Sequence, residues 1–302
     1  MVSIGNWARL LAGVRLGRLR QYPARPVCLP APDRDMDPDG AQLPSIALVT
    51  PSLNQHQYIG QAIRSVLDQA YGRLQYVVQD GGSTDGSERI AQRLAAGVCR
   101  VVVEADRGQA DAINRGFERT DSEIMGWLNS DDLLAPGTLH RVGRYFHDHP
   151  SVDMIYGNRL IVDESGLEVG RWILPDHDTR LLSFVDYVPQ ESMFWRRRLW
   201  VRAGARLDVE LQFVLDWDLI LRFLRVGAIV RHVPDLYGIF RIHPAQKTQS
   251  RLDETGRAEM RRVRADYGGL RIAPWSRAWI HARYLWRHKA ADRRYEAAFD
   301  GG

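Results

Sequence analysis

Between Ile46 and Leu128 short apolar runs alternate with single amphipathic helical patterns, and few folds accommodate that alternation. Ile46-Ala-Leu-Val-Thr50 reads as a buried strand ended by Pro51, and Tyr58 to Ala70 places Ile59, Ala62, Ile63, Val66, Leu67 and Ala70 on one helical face. Tyr76-Val-Val78 and Arg100-Val-Val-Val-Glu104 repeat the strand pattern. Ser83 to Ala96, which opens on capping residues, and Gln109 to Arg119 repeat the helix. Ile124 to Leu128 is the fourth apolar run. Strands that are apolar on both faces must be covered by helices on both sides, the condition of a parallel sheet of nucleotide-binding type. Ligands of open α/β sheets collect at the carboxyl ends of the strands, so the residues that follow each run are the first candidates for a site.

Two of those strand ends carry chemistry. Asn129-Ser130-Asp131-Asp132 sets two adjacent carboxylates after the fourth strand. They can hold a divalent cation together with the phosphates it carries, or cap the helix expected to start near Pro136-Gly137. Asp80-Gly-Gly-Ser-Thr-Asp-Gly-Ser87 follows the second strand. Its glycines permit close backbone approach, the helix start offers free N–H groups, and Asp80 can accept from the edge of a base. A plain capped turn is the other reading. Neither Gly-x-Gly-x-x-Gly nor a phosphate loop ending in Gly-Lys-Ser occurs here, which removes the two commonest nucleotide motifs.

After Asn158 the regularity changes. Leu160-Ile-Val162 and Leu167-Glu-Val169, joined through Asp163-Glu-Ser-Gly166, predict a hairpin. Ser192 to Trp195 predicts a strand, Asp216 to Val226 an apolar helix, and Ile229 to Val233 a further strand. The chain thus divides into a basic N-terminal segment and linker (1–43), an α/β domain (44–250) and a basic, Trp-rich helical extension (251–302). In residues 1–20, Ile4, Trp7, Leu10, Leu11 and Val14 recur at helical spacing among arginines with no acidic residue. That suits a helix on an anionic membrane or one packed on the domain. Tyr22 to Pro44, rich in Pro and Asp, reads as a linker. The extension mixes Trp275, Trp279, Tyr284 and Trp286 with Arg271, Arg277, Arg283, Arg287 and Lys289. It fits a membrane interface, a partner, or a helical cap whose arginines snorkel.

Composition narrows the class further. Hydrophobic and charged fractions of 45% and 26% exclude disordered and fibrous chains. A net charge of +4 and a pI near 9.2 favour anionic partners only weakly, and with no recognition motif a nucleic-acid partner is not expected. Cys28 and Cys99 stand alone, so neither a disulfide framework nor a zinc site is expected, and a reducing cytoplasm fits. No apolar run is long enough to span a bilayer, and Arg9 and Arg15 interrupt the one stretch that imitates a signal-peptide core. The expected location is cytoplasmic, on the inner face of the cytoplasmic membrane if the basic ends lie on lipid.

Taken in order, Thr50-Pro-Ser-Leu-Asn54, Asp80-Gly-Gly-Ser-Thr-Asp85, Asp106-Arg-Gly-Gln-Ala-Asp-Ala-Ile-Asn-Arg-Gly116 and Leu128-Asn-Ser-Asp-Asp132 resemble the successive motifs of the family 2 inverting glycosyltransferases. The resemblance runs from about Ile46 to Ser250. It implies an α/β fold of the GT-A type, a Rossmann-like, mostly parallel sheet flanked by helices, with an acceptor-side β/α portion before the helical extension. It assigns Pro51, Ser52, Asn54, Asp80 and Asp85 to the nucleotide, and Asp106 and Arg107 to base and ribose, with Asp111 and Asn114 on the helix behind. Asp132 is the implied metal ligand and Asp131 the implied ribose or metal-water contact, Asn129 standing where the family carries the first acid of its motif. Val188-Pro-Gln-Glu-Ser-Met-Phe194 resembles the acceptor-side segment and nominates Gln190 and Glu191. Leu215-Asp216-Trp217-Asp218-Leu219 resembles the motif of the catalytic base and nominates Asp216, with Asp218 as its rival. Phe240-Arg-Ile-His243 resembles a segment closing over diphosphate or metal and adds His243 to the metal residues.

The implied reaction is a single displacement by an acceptor hydroxyl, from glycan or lipid-linked acceptor, on a nucleotide-diphosphate sugar, with a divalent cation (Mn2+ or Mg2+) and Asp216 as base. Cell-surface polysaccharide or glycolipid synthesis is the implied setting. A non-catalytic nucleotide-sugar or glycan binding protein on the same fold is the main rival, and the joint presence of Asp80, Asp132 and Asp216 argues against it. A nucleotidyltransferase would need a Gly-rich loop with Arg near the first strand, where this chain has Pro51-Ser-Leu-Asn-Gln55.

Overall fold

The computed structural model describes residues 15–29, 42–95, 97–244, 246, 254–267 and 272–299. Its strands in chain order are β1 (Ile46–Ser52), β2 (Leu74–Asp80), β3 (Arg100–Val103), β4 (Ile124–Trp127), β5 (Leu133–Leu134), β6 (Met154–Val162), β7 (Glu168–Trp172), β8 (Met193–Arg196) and β9 (Val230–Arg241). The helices are α1 (Ile59–Leu67), α2 (Ser87–Ala95), α3 (Gln109–Glu118), α4 (Thr138–Asp148), α5 (Thr179–Leu182), α6 (Arg197–Arg202), α7 (Leu215–Arg225), α8 (Thr255–Asp266) and α9 (Pro274–Phe299). One sheet runs in the order β3-β2-β1-β4-β8-β6-β9-β5, with β7 paired to β6. The first four strands are parallel, as the βα alternation predicts, and β8 then pairs antiparallel to both β4 and β6.

Each face of the sheet has its own core. Ile59, Ile63 and Val66 of α1 and Leu139, Val142 and Phe146 of α4 cover one face. Ile113 and Phe117 of α3, Leu219 and Phe223 of α7, and Val263 and Tyr284 of α8 and α9 cover the other. The extension is therefore part of the main core and not an appended unit. The Asp163–Gly166 hairpin forms as predicted between β6 and β7. The last strand runs beyond Val233 to Arg241, because the register with β6 shifts between Tyr156 and Asn158, where Pro234 and its missing N–H are accommodated.

Two expectations on the N-terminal side meet different outcomes. The predicted helix of residues 1–20 lies mostly outside the described residues. The start of the predicted linker is instead bound to β7: Tyr22 Oη–H and Arg25 Nη2 both donate to fully buried Glu168, which also pairs with Arg171. A buried carboxylate needs such compensation, so a stretch without periodicity is fixed through its side chains.

Candidate active site

A cleft of about 470 Å3 opens at the carboxyl ends of β1 and β4. Pro51, Ser52 and Asp106 line one side, and Asn129 to Asp132 lie between them and a far wall of Arg159, Asp186, Gln190, Glu191 and Asp216. On this lining the buried Ser52 Oγ, Trp127 Nε1 and Gln190 Oε1 have no hydrogen-bond partner among the described residues. Buried polar groups are nearly always paired, so these are places for a bound ligand to hydrogen-bond. A second cavity of about 530 Å3 lies between β9 and α9. Its carboxylate, Asp176, is paired with Arg287, and none of the predicted site residues reaches it.

The helix after the acidic loop takes Gly137 in the left-handed region as its N-cap, so Asp131 and Asp132 are not its caps. Asn129 Oδ1 accepts from Gln109 Nε2 at 2.8 Å and its Nδ2 faces Asp132 Oδ2 at 3.3 Å. Asp132, almost fully buried, accepts the Arg241 N–H at 3.0 Å, and the Arg241 side chain crosses beneath the loop to the Asp131 carbonyl and Gln61. Burial, then the charges of Asp131 and Glu191, push the Asp132 carboxyl well above the usual range. His243 Nε2 meets Asp131 Oδ2 at 3.1 Å, with its ring on Tyr58, so it faces the acidic pair through Asp131. Among the described residues no cluster of three or more His, Cys, Asp or Glu is gathered as a metal-binding set.

On the far wall Glu191 is locked to Arg159 through two hydrogen bonds, Nε to Oε1 at 2.7 Å and Nη2 to Oε2. A Cβ on Gly238 would overlap the Glu191 side chain, so glycine is required for β9 to pass this pair. Arg159 also stacks over Trp172 and Phe240. Gln190 Nε2 donates to the Trp127 carbonyl at 2.8 Å, tying this segment to the end of β4.

Asp216 and Asp218 share the first turn of α7 but face opposite ways, since two residues turn a helix by about 200°. Asp216 faces the cleft and makes no ion pair among the described residues. Asp218 is paired with Arg222 and accepts from Tyr267 Oη–H, both at 2.9 Å. Trp217 between them is fully buried, with Nε1–H on the Leu182 carbonyl, and this anchors the turn. Before the helix, Glu259 of α8 accepts the N–H groups of Gln212 and Phe213 at 3.0 and 2.9 Å. Surrounding protein raises the Asp216 carboxyl to about 6, against the pull of the Trp217 N–H and Arg159. The Asp186 carboxyl is pushed up in the same direction, by the surrounding protein and by the charge of Asp216. Both carboxylates are reached by water through the open cleft, Asp216 half-buried and Asp186 exposed.

The remaining predicted residues stand off the cleft lining. Asp80 is buried and accepts the N–H groups of Gly82 and Ser83. Asn54 and Asp85 fasten the loops after β1 and β2 to each other, through Thr84 N–H and His56 N–H. Asp111 accepts from the Arg107 N–H and pairs with Arg115, while the Arg107 side chain is mostly exposed. Both ends of the Asn114 amide are used on the backbone of Leu207. Sequence reasoning missed Arg159, Asp186 and Glu259. An arginine inside a strand as apolar as Met154–Val162 was the available signal for the first.

The model of the family described as Glycosyl transferase family 2 matches residues 47–201, half of the chain. A PGL/p-HBAD biosynthesis glycosyltransferase of Mycobacterium tuberculosis is 28% identical over 191 residues, covering 62% of this chain and 72% of that protein. An uncharacterized glycosyltransferase of Nostoc is 25% identical over 226 residues, covering 71% and 70%. Among solved structures, S. aureus TarS 1–349 in complex with UDP-GlcNAc superposes with a TM-score of 0.61 at 17% identity, covering 82% of this chain and 73% of that one. The mannosyltransferase PcManGT from Pyrobaculum calidifontis, in complex with GDP-Man and Mn2+, gives 0.60 at 21% identity, covering 98% and 84%. With these matches and a helix-flanked α/β sheet of the GT-A type, the chain belongs to glycosyl transferase family 2.

Proposed function

We propose that this transferase moves a sugar with inversion from a nucleotide-diphosphate sugar to an acceptor hydroxyl, in the synthesis of a cell-surface polysaccharide or glycolipid. The observation that carries the reading is Asp216, a carboxylate with no ion pair among the described residues, facing the same cleft as the strand-end loops. Nucleotide sugars bound by TarS and PcManGT support the donor class. In the proposed reaction Asp216 takes the proton of the acceptor hydroxyl as its oxygen attacks the anomeric carbon and the nucleoside diphosphate departs. No covalent enzyme intermediate forms, so one carboxylate on the acceptor side suffices. Ser52 Oγ and Gln190 Oε1 would bond the bound substrates, and Arg159 would hold Glu191 away from proton transfer.

A divalent cation suits the acidic loop by donor chemistry. Asp131 and Asp132 offer hard oxygen ligands, and burial together with the charge of Asp131 penalises the ionised form of Asp132, a cost that a cation would offset. With only two such carboxylates, the other positions would fall to diphosphate and water, and His243 would orient Asp131. Bound there, the cation would stabilise charge on the leaving diphosphate. The test is a thermal-shift series with UDP-, GDP- and dTDP-sugars, with and without manganese. One donor class should stabilise the protein by about 2.7 kcal/mol at a hundredfold excess over Kd, and Asp132→Ala should remove the manganese-dependent part. No response to any donor, or an unchanged manganese effect in the variant, contradicts the assignment.

A further inference from the structure

Helix α9 docks by one face. Ile280, Tyr284, His288 and Ala291 turn into the molecule, and helical spacing puts Trp275, Trp279 and Trp286 on the opposite side, 77%, 62% and 73% exposed. They are the only exposed tryptophans among the described residues, while Trp127, Trp195, Trp200 and Trp217 are buried in the core. Single exposed apolar residues are ordinary, but a row of three indoles along one helix face marks a surface that is covered in use.

Charge and position select what covers it. Arg293 and Arg294 are exposed on the same helix, and its two nearby acids, Asp292 and Glu296, are paired with Arg15. Indoles beside arginines suit the lipid–water boundary, where the ring sits at headgroup depth and the guanidinium meets phosphate. No described helix is long and apolar enough to cross a membrane, so α9 would lie along the surface. The chain also enters the described structure at α9. The Leu16 N–H donates to His288 Nε2 of this helix.

We propose that the outward face of α9 is a docking surface for an anionic lipid bilayer, with Trp275, Trp279 and Trp286 seated at headgroup level and Arg293 and Arg294 on lipid phosphates. Docking of this kind does not depend on the transfer chemistry. The full chain is mixed with vesicles of phosphatidylcholine alone or with added phosphatidylglycerol, and the bound fraction is read by sedimentation. The chain should sediment with the anionic vesicles and be released at high salt. Trp275→Ala/Trp279→Ala/Trp286→Ala should reduce partition by about tenfold or more while melting at the wild-type temperature, because the rings are exposed. Arg293→Gln/Arg294→Gln should narrow the preference for anionic over neutral vesicles. Absence of sedimentation, equal sedimentation with both vesicle types, or a tryptophan variant that binds like the wild type would overturn the proposal. So would a wild-type dimer that the tryptophan variant converts to monomer without any vesicle binding, which would assign the face to a second copy.

Discussion

In the strand-end half of the cleft, the loops after β2 and β3 carry hydrogen bonds that close over two to four residues, as in Asp80 with Gly82 and Ser83, Asp106 with Gly108, and Asp111 with Arg107, while only the acidic loop after β4 is tied as far away as Arg241 and His243. In the acceptor half, the contacts that matter reach across tens of residues: 32 between Arg159 and Glu191, 46 and 47 between Glu259 and the backbone before α7, 49 between Asp218 and Tyr267. Much of the first half is set by local chain chemistry once neighbouring strands pair, with the acidic loop also held from the end of β9. The second exists only when the hairpin, α7 and α8 have all come together, so a change in one of them is felt at the others.

That contrast predicts where substitutions separate turnover from donor binding. The largest separation belongs to the base. Asp216→Asn should lower turnover by about two to four orders of magnitude with donor affinity nearly unchanged, whereas Asp218→Asn should leave turnover near wild type and lower the melting temperature instead. Steady-state rates beside donor titration check both, and the reverse ranking would move the base to Asp218.

Next comes the Arg159–Glu191 pair. Arg159→Met strands a buried carboxylate and should destabilise by about 3–5 kcal/mol, and adding Glu191→Gln should recover a good part of it. Denaturant unfolding of the three variants measures the coupling, and simple additivity would mean the pair contributes no specific interaction. Smaller still is Glu259→Gln, which turns an amide N–H2 toward the Gln212 or Phe213 N–H. It should cost about 1–3 kcal/mol and lower kcat more than donor affinity. An equal loss in both would mean that α8 supports the whole cleft and not the Asp216 turn.

The same contrast explains what could be read in the sequence. The parallel half was legible because its strands and helices, from Ile46 to Leu128, carry their own periods. The hairpin was legible from Asp163-Glu-Ser-Gly166. The full length of β9 was not, because Pro234 resembles a strand end unless the register shift opposite it is known. Tyr22 to Leu29 were read as the start of a linker, since their placement comes from contacts with Glu168 and Arg171, 143 to 146 residues away. The choice between Asp216 and Asp218 rested on resemblance, and the partners Arg222 and Tyr267 are what give the two acids different surroundings. Asn114 was taken with the nucleotide residues, and both ends of its amide bond the Leu207 backbone, a contact 93 residues long that no motif announces.

The proposed base, Asp216, has its carboxyl raised to about 6. A raised carboxyl binds its proton as pH falls through that value, and a protonated carboxylic acid cannot accept one from the acceptor. The most direct measurement is kcat/KM against pH for the wild type and Asp216→Asn, because kcat/KM reports the protonation of the free enzyme. The wild type should lose kcat/KM about tenfold per pH unit below about 6, and the residual rate of Asp216→Asn should be flat across that range. A wild-type profile with no acidic limb, or the same limb persisting in Asp216→Asn, would contradict the assignment.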